Sequence, residues 1–178
     1  MFKVISQPGD EDIAGFYAFR KKIYRQDHQV EFDLKDEWDD RATFFLVKEG
    51  RTIVGGVRLL VSSPEKPLPV EEEMPFLASL FPLAPVGRYL EMSRFSVHEE
   101  FRQGEVSLLL FCAIETFCLE QGARQLVFMT NDRISRRYSI GLKRLNRLHG
   151  NFHLLEEWRP SCLEELTIGK HRGFIRAC

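Results

Sequence analysis

No stretch of this 178-residue chain stays apolar for long. Its predominantly apolar runs, such as Val106 to Phe111, fall far short of the roughly 20 residues that span a bilayer, and Met1-Phe2-Lys3-Val4-Ile5-Ser6 lacks the apolar core of a signal peptide. These absences predict a cytoplasmic protein without a membrane partner. Cysteine is scarce, at four residues, with no Cys-x-x-Cys or Cys/His cluster. Cys112 and Cys118 share one helical pattern while Cys162 and Cys178 stand alone, as expected of reduced thiols rather than zinc ligands. His28, His98, His149, His153 and His171 show no ligand spacing, so no metal is expected. Internal repeats, low-complexity tracts and linkers are absent too. With 44% hydrophobic and 29% charged residues, the chain can bury one substantial core, and a single domain over 1–178 is expected.

Net charge is nearly absent, at −1, but unevenly distributed. Residues 122–178 hold 11 Lys and Arg against 5 Asp and Glu, while residues 1–121 hold 14 against 21. The C-terminal part therefore suits an acidic partner.

The periodicities predict an α/β chain. Met1–Ile5 reads as a strand, and Gln7-Pro8-Gly9-Asp10 as a turn ending in a helix cap. Ile13, Phe16, Phe19 and Ile23 fall on one helix face. Gln26–Asp40 is polar and acidic and reads as a loop. Thr43–Lys48 and Thr52–Val61, joined by Glu49-Gly50-Arg51, read as a hairpin, with Gly55-Gly56 marking a bulge or a close approach. After a proline-rich connection the spacing predicts a short helix over Met74–Phe81, then a strand over Arg88–Val97. Val106, Leu109, Leu110, Ala113, Ile114, Phe117 and Cys118 describe the strongest helix, and Gly122 suits its C-terminal cap. Gln125–Thr130 reads as a buried strand. Asn131 is placed to cap a basic helix reaching about Leu148, and strands follow near Phe152–Glu157 and Thr167–Ile175.

Leu90-Glu91-Met92-Ser93-Arg94-Phe95-Ser96-Val97 carries both a carboxylate and a guanidinium within apolar, strand-forming sequence. Burying either charge alone costs several kcal/mol, so the two must pair or face a polar cleft. A regular strand puts Glu91, Ser93 and Phe95 on one face and Arg94 on the other. For Glu91 and Arg94 to serve one site, a distortion must lie between them. A structural ion pair at a sheet edge is the plainer reading of this segment taken alone.

Four segments in order resemble the acyl-homoserine-lactone (autoinducer) synthase family, acyltransferases of the GNAT type. They are Arg20-Lys21-Lys22-Ile23-Tyr24, Asp36-Glu37-Trp38-Asp39, Val54-Gly55-Gly56-Val57-Arg58-Leu59 and Glu91-Met92-Ser93-Arg94-Phe95, and the likeness runs from about Phe16 to Gly150. It implies a GNAT-like three-layer fold with a central mixed, mostly antiparallel sheet flanked by helices. It also implies transfer of an acyl group from acyl carrier protein to the amine of S-adenosylmethionine, a substrate rather than a cofactor, with lactone closure and release of methylthioadenosine.

On that resemblance Glu91 is the candidate base, with Ser93 and Arg94 arranging the site around the thioester oxygen. Asp36 and Asp39 would attract the cationic acceptor, and Arg20 or Arg94 would take its carboxylate. Tyr24, Trp38, Arg58 and Phe95 complete the motif-borne binding residues, and Thr130 resembles a position associated with a 3-oxo group. A solvated acidic loop for Asp36 and Asp39, and a salt bridge to one of them for Arg58, remain open. Phe44, Phe45, Leu109, Phe117, Phe128 and Met129 are candidates for an acyl tunnel or, more simply, core.

Arg133, Arg136, Arg137, Lys143, Arg144 and Arg147 would form a dock for acyl carrier protein. Glu100-Phe101-Arg102-Gln103-Gly104-Glu105 fits poorly to the phosphate loop of coenzyme A-dependent GNAT enzymes. Without a helix-turn-helix or an aromatic platform, nucleic-acid binding is not expected. Leu34 stands where the family has glutamate, and the loop from Tyr24 to Asp36 is shorter and lacks the family's tryptophan. An N-acyl amino acid synthase using the same carrier protein, or a non-catalytic acyl-carrier-binding module, therefore stays open.

Overall fold

The computed structural model describes residues 1–28, 35–74, 83–102, 104–131, 153–157 and 171–177. Among them β1 spans Phe2–Ile5, α1 Asp10–His28, β2 Thr43–Glu49, β3 Thr52–Val61 and α2 Pro69–Glu73. Then follow β4 over Tyr89–Val97, α3 over Glu105–Glu120, β5 over Gln125–Asn131, β6 over His153–Glu157 and β7 over His171–Ala177. The hydrogen-bonded strand order is β1-β2-β3-β4-β5-β7-β6. β4 and β5 run parallel, whereas β1 and β2, β2 and β3, β5 and β7, and β6 and β7 pair antiparallel. The fold is thus α/β with a mixed, mostly antiparallel sheet.

The chain divides into two compact units, residues 1–60 with 93–115 and residues 61–92 with 116–178. In the first unit the consecutive glycines of β3 explain how helices cover the sheet. A Cβ on Gly55 would stand 2.7 Å from Val106 and 3.3 Å from Leu110 of α3; one on Gly56 would stand 2.5 Å from the Phe16 ring of α1. Successive strand residues point to opposite faces, so α1 and α3 lie on opposite sides of β3. Three layers result, and only hydrogen at these positions lets the helices approach this closely. Phe16 packs with Phe44 and Leu46 of β2, flanked by Ile5, Ile13, Phe19 and Ile53. Removing a side chain of this size from water contributes roughly 1.5–3 kcal/mol. Beside these glycines the register shifts between Val47 and Lys48, which pair with Gly55 and Ile53 and leave Val54 as an extra residue. Both expectations for Gly55-Gly56, bulge and close approach, are met.

In the second unit α2 precedes β4, and the parallel register aligns Tyr89, Leu90 and Glu91 with Gln125, Leu126 and Val127. Gly122 ends α3 in the left-handed region at φ 59°, with Ala123 N–H donating to the Cys118 carbonyl at 2.9 Å, the expected glycine cap.

The described elements depart from the sequence expectation at three points. α1 continues through His28 beyond its apolar face, carried by strong helix formers such as Lys21, Lys22 and Arg25. A short helix that the apolar spacing did not announce covers Pro69–Glu73, where Pro69 opens it and Glu71 accepts from Leu68 N–H at 2.7 Å; the helix expected over Met74–Phe81 falls almost wholly outside the described residues. Met74 is its C-terminal cap, and 75–82 lie outside the described residues. Asn131 ends β5, one residue beyond the expected strand, and the basic helix expected after it lies outside the described residues. No described helix is long and apolar enough to cross a membrane.

Candidate active site

In the first unit, three of the four motifs meet in one network. Arg58 rises from β3 with its side chain 1% exposed. Its Nη1 donates to Asp36 Oδ1 at 2.6 Å and to Asp39 Oδ1 at 2.7 Å, and its Nε donates to Ser93 Oγ at 3.0 Å. Arg94 Nη2 donates to Asp36 Oδ2 at 2.6 Å. The aspartates are presented by a tight turn in which Trp38 N–H donates to Asp36 Oδ1 at 3.1 Å and Asp36 N–H to Asp39 Oδ2 at 3.2 Å. A single 3-10 turn over Asp39–Arg41 follows. Spacing two carboxylates three apart across such a turn lets both converge on one guanidinium.

Burial pushes the Asp36 carboxyl up, but the hydrogen bonds and charges of Arg58 and Arg94 outweigh it and hold Asp36 well below the usual carboxylate range. Burial likewise opposes the charge on Arg58, and Asp36 and Asp39 reverse the effect, raising its pKa. The structural salt bridge considered for Arg58 is therefore present, with both aspartates. Asp39 is enclosed at 2% side-chain exposure, whereas Asp36 keeps 17%.

Arg20 is 3% exposed, with its guanidinium 5.7 Å from the Phe16 ring centroid and 5.6 Å from that of Tyr24. Burial, then the charge of Arg94, and that of Arg58 pull its pKa down. A turn of α1 puts positions 17, 20 and 24 on one face. That face supplies a residue the motifs did not reveal, Tyr17, whose hydroxyl donates to Asp39 Oδ2 at 2.8 Å. Burial and this bond to a carboxylate raise the Tyr17 pKa. Its spacing from Arg20 was the available signal.

Arg94 has φ 58° in mid-strand, a conformation L-residues rarely adopt. Regular alternation along β4 is broken there, at Arg94 itself, three residues after Glu91. Phe95, next along, stacks on Phe111 with ring centroids 5.1 Å apart.

Glu91 belongs to the second unit and is 4% exposed. Its Oε2 accepts the Val70 N–H at 2.9 Å. No residue type signals that contact, because the donor is backbone. Phe44, Phe45 and Phe128 are buried, as ordinary core would be. The backbone of Thr130 lies in β5, opposite Arg172 of β7. Arg133, Arg136, Arg137, Lys143, Arg144 and Arg147 lie outside the described residues. Among the described residues no cluster of His, Cys, Asp and Glu could hold a metal ion, and neither Cys112 nor Cys118 is in a disulfide.

A family profile described as an acetyltransferase (GNAT) domain matches residues 16–112. The chain belongs to this GNAT family. One relative is the isovaleryl-homoserine lactone synthase of Bradyrhizobium diazoefficiens, 37% identical over 92 residues, a match spanning 51% of this chain and 41% of that relative's length. Among solved structures, the coenzyme A-dependent acyl-homoserine lactone synthase BjaI, captured with S-adenosylmethionine and isopentyl-CoA, superposes with a TM-score of 0.66. It is 24% identical, with 99% of this chain and 82% of that chain covered. FeeM, an N-acyl amino acid synthase from uncultured soil microbes, gives a TM-score of 0.65 at 15% identity, covering 99% of this chain and 90% of that one. At these identities the solved structures show a shared fold. The curated relative matches the likeness to acyl-homoserine-lactone synthases that the motifs had implied.

Proposed function

We propose that this chain is an N-acyltransferase that makes an acyl-homoserine lactone from an acyl thioester and S-adenosylmethionine, releasing methylthioadenosine. Residues 1–178 act in this reading as one acyltransferase domain in the cytoplasm. The observation that carries it is the convergence of Asp36, Asp39, Arg58, Ser93 and Arg94, drawn from three separate motifs, in one buried network. The curated relative supports the same reaction class.

In this reading Glu91 accepts a proton from the acceptor's ammonium group, directly or through water. The neutral amine attacks the thioester carbonyl carbon, the C–S bond breaks, and the donor leaves as a thiol carrying a second proton from nitrogen. The acceptor's carboxylate oxygen then displaces methylthioadenosine from the carbon bearing the sulfonium, closing the lactone. Ser93 and Arg94 arrange the strand around the thioester oxygen. Arg20, Tyr24, Asp36, Trp38, Asp39, Arg58, Phe95 and Thr130 form the binding surroundings. Because Asp39 is enclosed by Arg58 and Tyr17, its part is to fix the cluster, and Asp36 is the carboxylate left to meet the acceptor.

Arg136, Arg137, Lys143 and Arg144 favour acyl carrier protein as the donor, because its acidic surface would complement these four cations. Incubating the purified protein with acyl carrier protein or coenzyme A thioesters, and with either S-adenosylmethionine or amino acids, tests the proposal by mass spectrometry. Acyl-homoserine lactone with methylthioadenosine is expected. Acyl amino acids without methylthioadenosine would replace the acceptor, and thioester binding without turnover would remove the enzyme. Turnover with coenzyme A thioesters alone would replace the carrier-protein donor.

A further inference from the structure

In the second unit, two residues of β4 and the first turn of α2 are joined in a closed ring of hydrogen bonds. Tyr89 and Glu91 stand two apart and so share one face of the strand. The Tyr89 hydroxyl donates to Glu71 Oε1 at 2.6 Å. The other oxygen of Glu71, Oε2, accepts the Leu68 N–H at 2.7 Å, which ties the carboxylate to the residue preceding the helix. Pro69 brings no N–H, so the Val70 N–H is the first amide of the turn, too early in the helix to have a partner within it. That amide donates to Glu91 Oε2 at 2.9 Å and closes the ring on β4.

The Val70–Glu91 bond is buried, so exchange with water does not readily replace it, while Glu71 and its two bonds are half-buried. Burial, and then the bond to Glu71, push the Tyr89 phenol up to about 12, so it remains a donor at neutral pH. An N–H directed at a carboxylate favours the ionised form that a base requires, and it fixes which way the carboxylate plane faces.

We propose that Tyr89 and Glu71 are positioning residues for Glu91, setting the Val70 N–H against Oε2 and thereby the orientation in which this carboxylate takes its proton. The proposal rests on Glu91 being the base. Tyr89 and Glu71 need touch no substrate. They act on the rate through the geometry of one carboxylate, which separates them from residues that hold either substrate.

Steady-state kinetics on the full chain, with an acyl thioester and S-adenosylmethionine, test this with Tyr89→Phe, Glu71→Gln, Glu91→Gln and the double variant Tyr89→Phe/Glu91→Gln. Tyr89→Phe is expected to lower kcat about tenfold, a fraction of what a general base contributes, with KM for the thioester within about twofold. Glu71→Gln, which keeps an acceptor for Tyr89, is expected to lose less. In the Glu91→Gln background, removing the Tyr89 hydroxyl should cost nothing more, because its effect travels through the missing carboxylate. Unchanged kcat in Tyr89→Phe, or full additivity in the double variant, would overturn the proposal while leaving Glu91 as base. Unchanged turnover in Glu91→Gln would instead remove the base assignment and this inference with it. If Tyr89→Phe lost its cooperative thermal transition, the same comparison would be made with Glu71→Gln alone and in the Glu91→Gln background.

Discussion

Arg58 and Asp39 meet at 2.7 Å with side chains 1% and 2% exposed. Such a pair gives up its hydration on folding, and deleting one member leaves the other charged and uncompensated, at a cost of about 3–5 kcal/mol. Arg58 also binds Asp36 and Ser93, so Arg58→Met leaves two aspartates facing each other. Urea denaturation should register a loss in that range. Arg58→Lys should lose less, because it keeps the charge and loses the fork that reaches three partners.

Tyr17→Phe removes only an oxygen, yet that oxygen donates to a buried carboxylate at 2.8 Å. Hydrogen bonds to charged groups contribute about 1.5–3 kcal/mol, more than neutral ones. The expected loss in urea is of that size, and it should shrink in an Asp39→Asn background. Equal losses in both backgrounds would mean that the hydroxyl acts through something other than the charge of Asp39.

Much of this framework could be read from residue order. The paired β2 and β3, the α3 stripe with its Gly122 cap, and the clash of charges in β4 all rest on local periodicity, which sequence displays directly. Arg58 could be guessed to bridge the aspartates because a guanidinium inside an apolar strand needs acceptors. The contacts of Glu91 could not. Its partner is the amide of Val70, 21 residues earlier, and backbone donors leave no trace in residue type. α2 leaves no trace in residue type for a related reason. Its start depends on Pro69 and on the Glu71 carboxylate folding back to Leu68, and a five-residue helix with one aliphatic side chain besides its proline shows no apolar spacing.

Gly56 offers a packing test. An added Cβ would meet Phe16 Cε2 at 2.5 Å and Leu46 Cδ2 at 2.7 Å. Gly56→Ala should therefore cost about 1–3 kcal/mol by overpacking. Phe16→Leu supplies room, so the double variant should lose less than the two single losses combined. Thermal or urea unfolding of the four proteins measures the coupling, and strict additivity would contradict the close approach of α1 to β3.

The depressed pKa of Asp36 makes acid stability a readout of the network. An unfolded Asp titrates near 4, roughly, and the folded residue does so lower, so as pH falls the unfolded chain binds this proton first. The contribution is complete above the unfolded value and is lost as pH falls through the folded one. Urea midpoints measured between about pH 6 and pH 2 should fall steeply in the parent protein and less steeply in Asp36→Asn. Parallel curves would show that Arg58 and Arg94 do not favour the ionised form of Asp36.

Arg94 joins two opposing effects that substitution can separate. Its side chain gains from Asp36 at 2.6 Å, while its backbone sits at φ 58°, which costs an L-residue about 1–2 kcal/mol. Both Arg94→Ala and Arg94→Gly delete the ion pair, but only glycine also relieves the backbone, against a smaller penalty from its freer unfolded chain. Arg94→Gly should therefore be the more stable of the two by about 1 kcal/mol. At ordinary strand positions the order is reversed, because glycine weakens strands. Urea midpoints of the two variants decide the matter: an alanine variant more stable than the glycine one would mean that β4 straightens once Arg94 lets go of Asp36, and that the ion pair itself holds the distortion.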